Sequence, residues 1–246
     1  MSVAQLAGLI RERQPCVALT GAGVSTESGI PDFRSPTGIW ANVDPLEYAS
    51  LEAFRRDPVK VWSFYAPRFA MLTGAEPNAA HRALAELERR GLVRAVVTQN
   101  IDVLHERAGS RDVLEVHGSI KTSSCMDCGA SYPLPAVEEQ LKSRDAPFCS
   151  CGAILKPDVV FFGEVLPAGT IDRAYALAAE AALLLVVGSA LEVWPVGELP
   201  LVTRRAGGAV AIVNLGPTAR DGDAELKIEG SAGETLECVV AALATD

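Results

Sequence analysis

The stretch CVALTGAGVSTESGIPDFR, residues 16–34, decides the fold class. Its first five residues are apolar or β-branched and end at the glycine turn GAG, a pattern that predicts a buried strand followed by a tight turn. Such a turn commonly leads to a helix N-terminus, where free N–H groups favour the phosphates of a dinucleotide. Thr26 stands where the fingerprint of hydride-transfer enzymes, G-x-G-x-x-G, has its third glycine, so the turn departs from that motif.

Strands and helices alternate along the rest of the chain. Short apolar runs predict further strands at 93–97, 113–116, 159–162, 183–187 and 209–213. Helical patterns lie at 78–90, 174–182 and 234–243. This alternation predicts an α/β fold with a doubly wound, mostly parallel, Rossmann-like sheet and helices on both faces.

Two segments interrupt the alternation. Residues 35–76 begin with a loop rich in Ser, Pro and Gly and then become helical, and residues 119–157 hold a cysteine cluster and little that could form a core. We therefore predict one catalytic unit, 1–246, with a helical insert and a zinc-ribbon insert that together form a smaller domain. The larger domain would comprise 1–34, 77–118 and 158–246.

The cysteine cluster has metal-ligand spacing. Cys125 and Cys128 form C-x2-C, and Cys149 and Cys151 follow as C-x-C. Two pairs at this separation predict a zinc site, whereas four unrelated buried cysteines are the alternative. Four thiolates complete a tetrahedral site and leave no position for water, so the predicted zinc is structural.

Composition limits the partners. The chain has 22 Lys and Arg against 31 Asp and Glu, a formal net charge of −9. This balance disfavours nucleic-acid binding, including by a zinc ribbon, because phosphate neutralisation requires a basic face. It is compatible with a basic peptide. The sequence shows no signal peptide and no apolar run of about 20 residues, so we expect a cytoplasmic protein without a membrane span.

Polar residues follow the predicted strands at their carboxyl ends. His117 ends one strand, and Gln99, Asn100 and Asp102 leave another. Open α/β sheets bind their ligands at this edge. An imidazole with a pKa near 6.5 suits a base that removes a proton from a sugar hydroxyl. Asp102 and its neighbours could instead form a polar turn that caps the next helix.

Residues 21–34 resemble the NAD-binding loop of the sirtuin family, and the resemblance continues through TQNID (98–102), LHERAG (104–109), VHGS (116–119), LKPDVVFFGE (155–164), VGSALEVWP (187–195) and IVNLGPT (212–218). Sirtuins are NAD-dependent protein-lysine deacylases. The resemblance implies that NAD is consumed as a co-substrate and that nicotinamide, free lysine and an O-acyl-ADP-ribose are released. It makes His117 the base and Asn100 the second catalytic residue.

The resemblance also implies the binding residues. For NAD they are Gly21, Ala22, Gly23, Thr26, Asp32, Phe33, Arg34, Trp40, Gln99, Asn100, Ile101, Asp102, Gly188, Ser189, Ala190, Asn214, Leu215, Gly216 and Ala232. An acyl-lysine peptide would add a strand along Val160, Phe161, Phe162, Gly163 and Glu164, although both phenylalanines could equally belong to the core.

The segment VWSFYAPRFAML suggests the acyl group. Tyr65 and Arg68, spaced i and i+3, share a helix face, and a guanidinium matches a carboxylate. In the sirtuin branch that removes succinyl, malonyl and glutaryl groups, such a pair binds the acyl carboxylate, and Ala49 matches a small residue that widens the pocket. A surface arginine stacked on a tyrosine is the alternative. Pro67 is expected to kink or begin the helix. Plain deacetylation and mono-ADP-ribosyl transfer remain alternative activities.

Overall fold

The computed structural model describes residues 2–33 and 35–244. Its larger sheet has six strands, all parallel, in the order β3-β2-β1-β7-β8-β9. These strands are β1 (Cys16–Thr20), β2 (Ala95–Thr98), β3 (Val113–Glu115), β7 (Leu183–Val187), β8 (Ala209–Asn214) and β9 (Leu226–Glu229). The predicted doubly wound α/β class is confirmed. This order places a topological switch point between β1 and β7, where such sheets bind dinucleotides.

Helices cover both faces of this sheet. They are α1 (Val3–Glu12), α5 (Ala79–Arg89), α6 (Leu104–Arg107), α8 (Ala168–Glu180), α9 (Leu199–Arg205) and α10 (Ala232–Ala242). The two cores that they enclose have only aliphatic side chains and Cys16 among their buried members. Strands buried on both faces favour such residues, because no side of the strand meets water.

A second, smaller unit combines four helices with an antiparallel sheet. The sheet has the order β5-β4-β6 and a covering helix, α7 (Leu134–Leu141). Its strands are β4 (Gly118–Cys125), β5 (Ser131–Pro133) and β6 (Leu155–Val159), and the other helices are α2 (Pro45–Tyr48), α3 (Leu51–Arg56) and α4 (Pro58–Gly74). Both parts share one core that is rich in aromatic side chains. The proposed domain limits stay a prediction; the small sheet reaches Gly118 and Val159, slightly beyond the insert 119–157.

One local prediction is wrong and another is wrong in part. The strand predicted at 159–162 lies upstream, at 155–159, and pairs with β4 in the small sheet. Pro67 does not begin a helix, because α4 starts at Pro58 behind the N-cap Asp57 and continues through Pro67; a kink at Pro67 stays a prediction. The buried apolar face of α4 stabilises the helix across the hydrogen bond that proline cannot donate.

Across the residues that are described, no helix is both long and apolar enough to cross a membrane.

Candidate active site

The glycine turn after β1 lies against the loop that follows β7. Gly21 N–H donates to Val187 O (3.2 Å), and Gly23 N–H donates to Gly188 O (2.8 Å). A Cβ on Gly23 would lie 2.9 Å from Gly188 Cα, closer than real Cβ atoms approach backbone. The turn therefore needs glycine because two backbones touch at the switch point.

A cleft of about 1350 Å³ opens at this edge and extends to the helices of the smaller unit. It is larger than the roughly 300–1,000 Å³ typical of small-molecule pockets, which leaves room for two substrates. The residues predicted for NAD that line it are Gly21, Ala22, Gly23, Thr26, Asp32, Phe33, Trp40, Gln99, Asn100, Ile101, Asp102, Gly188, Ser189, Ala190, Asn214, Leu215 and Ala232.

Two predicted NAD residues are not among that lining. Gly216 lies beside the cleft wall, where its carbonyl accepts hydrogen bonds from Asn214 Nδ2 and Lys227 Nζ, each 3.2 Å long. Arg34 falls outside the described residues. The predicted acyl and peptide residues all line the cleft: Ala49, Tyr65, Arg68, Val160, Phe161, Phe162, Gly163 and Glu164.

His117 lies just beyond β3, next to the residues that leave β2. Its Nδ1 is 3.0 Å from Gln99 O. A carbonyl only accepts, so Nδ1 carries the proton and donates, and Nε2 of the neutral ring keeps its lone pair. Burial lowers the pKa of His117, although the bond to Gln99 O opposes that shift. The ring is therefore held neutral, in the tautomer that a general base needs.

A buried polar network holds the loop after β2. Ser25 Oγ donates to Asp102 Oδ2 (2.7 Å), and Asn100 Nδ2 donates to Ser25 Oγ (3.0 Å) and to Gly21 O (3.2 Å). Asp102 Oδ1 also accepts from Leu104 N–H (3.0 Å), so this carboxylate caps α6 as well as facing the cleft. The capping role and the position at the site, posed as alternatives by the sequence, coexist in the structure.

The other two histidines lie behind this network. His81 is fully buried in α5, and its ring contacts that of His105 with centroids 4.8 Å apart. His105 Nε2 is 2.9 Å from Thr20 Oγ1, at the end of β1. Burial lowers the pKa of both, to about 4 for His81 and to about 3 for His105. Neither lines the cleft, so both histidines pack behind the site and do not face a substrate.

The acyl side of the cleft is built by α2 and α4. Tyr65 is buried, its ring stacked on Phe161 with centroids 5.3 Å apart. Burial raises the pKa of Tyr65, which keeps the phenol protonated as a donor. Arg68 is half-buried, and its Nη1 donates to Phe64 O (2.6 Å). Ala49 is buried at the end of α2.

The predicted peptide segment places its two phenylalanines in different environments. Phe161 is buried and Phe162 is 43% exposed, so the two rings face opposite ways. Phe162 N–H donates to Ala49 O (2.8 Å), and Leu51 N–H donates to Phe162 O (3.0 Å). These backbone groups are already bonded inside the chain, and so is Glu164 N–H, which donates to Phe161 O (3.0 Å). An added strand along this segment stays a prediction.

The four cysteines come together in the smaller unit. All four Sγ atoms lie within 4.8 Å of one another. Cys125 and Cys151 Sγ are 3.5 Å apart, as are those of Cys128 and Cys149. Tetrahedral zinc with Zn–S bonds of about 2.3 Å requires sulfur separations near 3.8 Å. The donor set and its spacing fit one structural zinc. Gly152, beside the C-x-C pair, has a φ of 96°, a conformation that glycine adopts readily.

Several residues of the cleft are not among the predicted site residues, although Ser25 and Trp194 fall within the stretches that resemble sirtuins. Ser25 links Asn100 to Asp102, and Phe64 lies beneath Arg68. Val165 and Trp194, 92% and 78% exposed, line its mouth. Serine in a turn and apolar residues in a helix are too common to be singled out. Two exposed apolar residues on separate loops become evident only once the fold brings both loops to one cleft.

The fold and site define an α/β protein that binds a dinucleotide at the switch point, beside a unit held by four cysteines. A model of the Sir2 family matches residues 21–195. An NAD-dependent protein deacetylase of Caldivirga maquilingensis is 46% identical over 94% of this chain and 90% of its own length. NAD-dependent protein deacylase 1 of Archaeoglobus fulgidus is 44% identical over 94% of both chains. The chain belongs to the Sir2 family, which confirms the resemblance.

Solved structures have the same fold as this chain over nearly its whole length. A Sir2 variant in complex with a deacetylated p53 peptide and 3′-O-acetyl ADP-ribose has a TM-score of 0.94 at 41% identity, covering 98% of both chains. A Sir2 complex with a p53 peptide and NAD+ has a TM-score of 0.91 at 40% identity over 100% of both.

Proposed function

We propose that this chain is an NAD-dependent protein-lysine deacylase that acts on succinyl- and malonyl-lysine as well as acetyl-lysine. It consumes NAD as a substrate and releases nicotinamide, the free lysine and an O-acyl-ADP-ribose. The observation that carries the proposal is one cleft that joins the glycine turn, His117 and the Tyr65–Arg68 pair. Relatives named as deacylases and deacetylases support the reaction class.

His117 acts as the general base. Its Nδ1 proton is held by Gln99 O, so Nε2 is the atom that accepts a proton from a ribose hydroxyl. The acyl oxygen first displaces nicotinamide from the ribose carbon that bears it. The deprotonated hydroxyl oxygen then adds to the acyl carbon, and water releases the lysine amine, which leaves the acyl group on the ADP-ribose. Asn100, held by Gly21 O and Ser25, orients the ribose side of the cleft, and burial keeps the imidazole unprotonated until the proton arrives.

The two substrates occupy opposite ends of the cleft. NAD lies over the glycine turn and the ends of β7 and β8, where Gly188 and Asn214 are found. The acyl-lysine enters from the exposed side, between the loop from Gly163 and the loop around Trp194. Main-chain hydrogen bonds to these loops hold the peptide as an added strand with little demand on its sequence.

Zinc stabilises the smaller unit and takes no part in the chemistry. Four cysteine thiolates fill its coordination sphere. Cys125 ends β4, which pairs with β6, and β6 runs directly into Val160 and the peptide segment. Loss of the site would therefore disturb the acyl side of the cleft first. We retain the division into a larger domain and the two inserts 35–76 and 119–157 as part of this proposal.

Arg68 binds the carboxylate of an acidic acyl group, together with the Tyr65 hydroxyl. Arg68 has five N–H donors, and the bond to Phe64 O uses one, which leaves others for a carboxylate. The alternative of a surface arginine fits less well, because Arg68 is partly buried and lines the same cleft as His117. Ala49 leaves space for the longer acyl chain.

Nicotinamide release with matched acetyl-lysine and succinyl-lysine peptides tests the function. Wild type should have the higher kcat/KM on the succinyl peptide. Arg68→Met should lose about 2–4 kcal/mol of transition-state binding on that peptide, roughly 30- to 1,000-fold, and far less on the acetyl peptide. Tyr65→Phe should lose about 0.5–1.5 kcal/mol.

Arg55→Met is the matched control, since this exposed arginine of α3 does not line the cleft. It should change neither activity. Equal losses on both peptides in Arg68→Met would contradict the carboxylate site. ADP-ribosylated protein without free lysine would show mono-ADP-ribosyl transfer and overturn the deacylase itself.

A further inference from the structure

Four side chains form one continuous stack along the cleft wall. The rings of Phe33 and Trp40 have centroids 5.5 Å apart and an interplanar angle of 27°. Trp40 and Phe64 are 5.6 Å apart at 8°. The Arg68 guanidinium carbon lies 3.4 Å from the centroid of the same Phe64 ring. These separations are those of favourable stacked-ring and cation–π contacts.

This stack joins the two substrate regions. Phe33 and Trp40 belong to the loop that follows the glycine turn, and Phe64 and Arg68 belong to α4. The loop folds on itself: Ile39 N–H donates to Asp32 O (2.8 Å) and Trp40 N–H donates to Phe33 O (3.0 Å). The contact of Trp40 with Phe64 connects this loop to the helix that carries Arg68.

We infer that the stack couples the binding of the two substrates: a carboxylate held by Arg68 tightens NAD binding, and NAD tightens the binding of acidic acyl-lysine peptides. The inference rests on the proposed carboxylate site. Phe64 is then a positioning residue, because it acts through Arg68 and Trp40.

The physical basis is that both ligands require the same side chains to be ordered, so they share one entropy cost. A carboxylate fixes the guanidinium over the Phe64 ring, and the fixed ring holds Trp40 and, through the backbone bond to Phe33, the loop. Once one ligand has ordered these groups, the second ligand does not bear that entropy cost again. Linkage requires the effect to be equal in both directions. An acetyl group has no charge with which to hold the guanidinium, so the coupling depends on the acyl carboxylate.

Calorimetric titration tests this inference in the full-length, zinc-loaded protein. The dissociation constants of succinyl-lysine and acetyl-lysine peptides are measured with and without a carbocyclic NAD analogue that cannot release nicotinamide. In wild type, the analogue should tighten the succinyl peptide at least about 5-fold more than the acetyl peptide, the lower end of common coupling energies.

Two substitutions break the stack at different points. Phe64→Leu keeps an apolar side chain in α4 but removes the ring between Trp40 and Arg68, and Trp40→Leu breaks the stack in the loop. In both variants, the analogue should tighten the binding of the succinyl and the acetyl peptide by the same factor. This holds even if the substitution changes the affinity for each peptide. Phe69→Leu is the matched control: this buried ring of α4 packs edge-on against Trp62 and Tyr65 but is not a member of the stack, so the coupling difference should persist even if the affinity for each peptide changes.

The outcomes separate the inference from the function on which it rests. Suppose that wild type binds both peptides equally without the analogue and that Arg68→Met changes neither affinity. The proposed carboxylate site is then contradicted, and so is the coupling that rests on it. If wild type prefers the succinyl peptide but the analogue tightens both peptides equally, the site stands and the coupling is overturned. Persistence of the coupling difference in Phe64→Leu and Trp40→Leu would overturn the role of the stack.

Discussion

The larger sheet and the smaller unit are each stabilised by a different kind of side chain. Both faces of the parallel sheet pack through aliphatic side chains. The core of the smaller unit instead buries Trp62, Phe69, Phe161 and other aromatic rings beside two of the clustered cysteines. The sheet has six paired strands, whereas the small sheet has three. A unit with so little regular pairing depends on large rings and on a metal site for its stability.

This difference has a functional consequence. Residues expected to hold NAD come from the ends of the parallel strands, where neighbours and register hold the backbone in place. Residues expected to select the acyl group come from α4 and the segment after β6, in the aromatic unit. The residues for NAD chemistry and those for acyl specificity therefore lie largely on different parts of the fold, so a substitution in α4 can change specificity without altering the sheet.

Removal of a zinc ligand should have the largest effect, and it should affect the smaller unit first. Structural zinc sites contribute on the order of 10–16 kcal/mol of binding free energy, so Cys149→Ser should eliminate deacylation. Most buried aromatic rings lie in this unit, so near-UV circular dichroism should collapse while the far-UV signal of the parallel sheet largely remains. Cys238→Ser, an exposed cysteine of α10, is the control. Active protein that contains no zinc by elemental analysis would contradict the prediction.

His117→Ala tests the position where the larger sheet meets the smaller unit, between β3 and β4. Loss of a general base typically costs about 10²–10⁴-fold in turnover, because the ribose hydroxyl then has no positioned acceptor. NAD affinity, measured by calorimetry, should change little, since the base acts after the substrate has bound. His81→Ala does not test the general base, because the His81 ring lies behind the cleft. A fall in NAD affinity equal to the fall in turnover would make His117 a structural residue.

Acid should destabilise the larger domain through its buried histidines. The pKa values of His81 and His105 in the folded chain are about 4 and about 3, below the unfolded value of about 6.5. Between pH 6.5 and 4 the unfolded chain therefore binds more protons, and stability that is fully present above pH 6.5 is lost as pH falls. We expect the free energy of unfolding to decrease by about 2–4 kcal/mol from pH 7 to pH 5.

Urea denaturation at several pH values measures this dependence. His105→Gln should remove about half of it, since a glutamine side chain does not titrate. A profile unchanged by that substitution would show that other groups cause the acid lability.

The close approach at the switch point gives the smallest expected effect. Gly23→Ala would place a Cβ against the Gly188 backbone, and an overpacked contact of this kind costs about 1–3 kcal/mol. Both unfolding free energy and NAD affinity should fall. Gly8→Ala is the matched control, because α1 leaves open space around Gly8 and alanine should stabilise the helix by roughly 0.5–1 kcal/mol. If Gly23→Ala and Gly8→Ala had the same unfolding free energy and NAD affinity, the loops after β1 and β7 would be able to separate without an energetic cost.

Much of the framework follows from local sequence. The apolar run before GAG predicts β1 with its observed bounds, and Asn78 and Gly91 predict both ends of α5, since caps and glycine turns act within a few residues. The spacing of the four cysteines predicts their cluster for the same reason: each pair is a local turn. The alternation of elements predicts the parallel sheet because crossover connections leave few other arrangements.

Other features depend on contacts between distant segments. Nothing local indicates that Val103 adopts a φ of 58°, because β-branched residues ordinarily avoid that region and only the surrounding loop imposes it. Pro67 stays inside α4 because the aromatic core holds the helix, against the local preference of proline. Phe33, Trp40, Phe64 and Arg68 form one stack only because an inserted helix packs beside the loop after β1. Local propensity determined the elements of this protein, and burial between remote segments decided which side chains meet in the cleft.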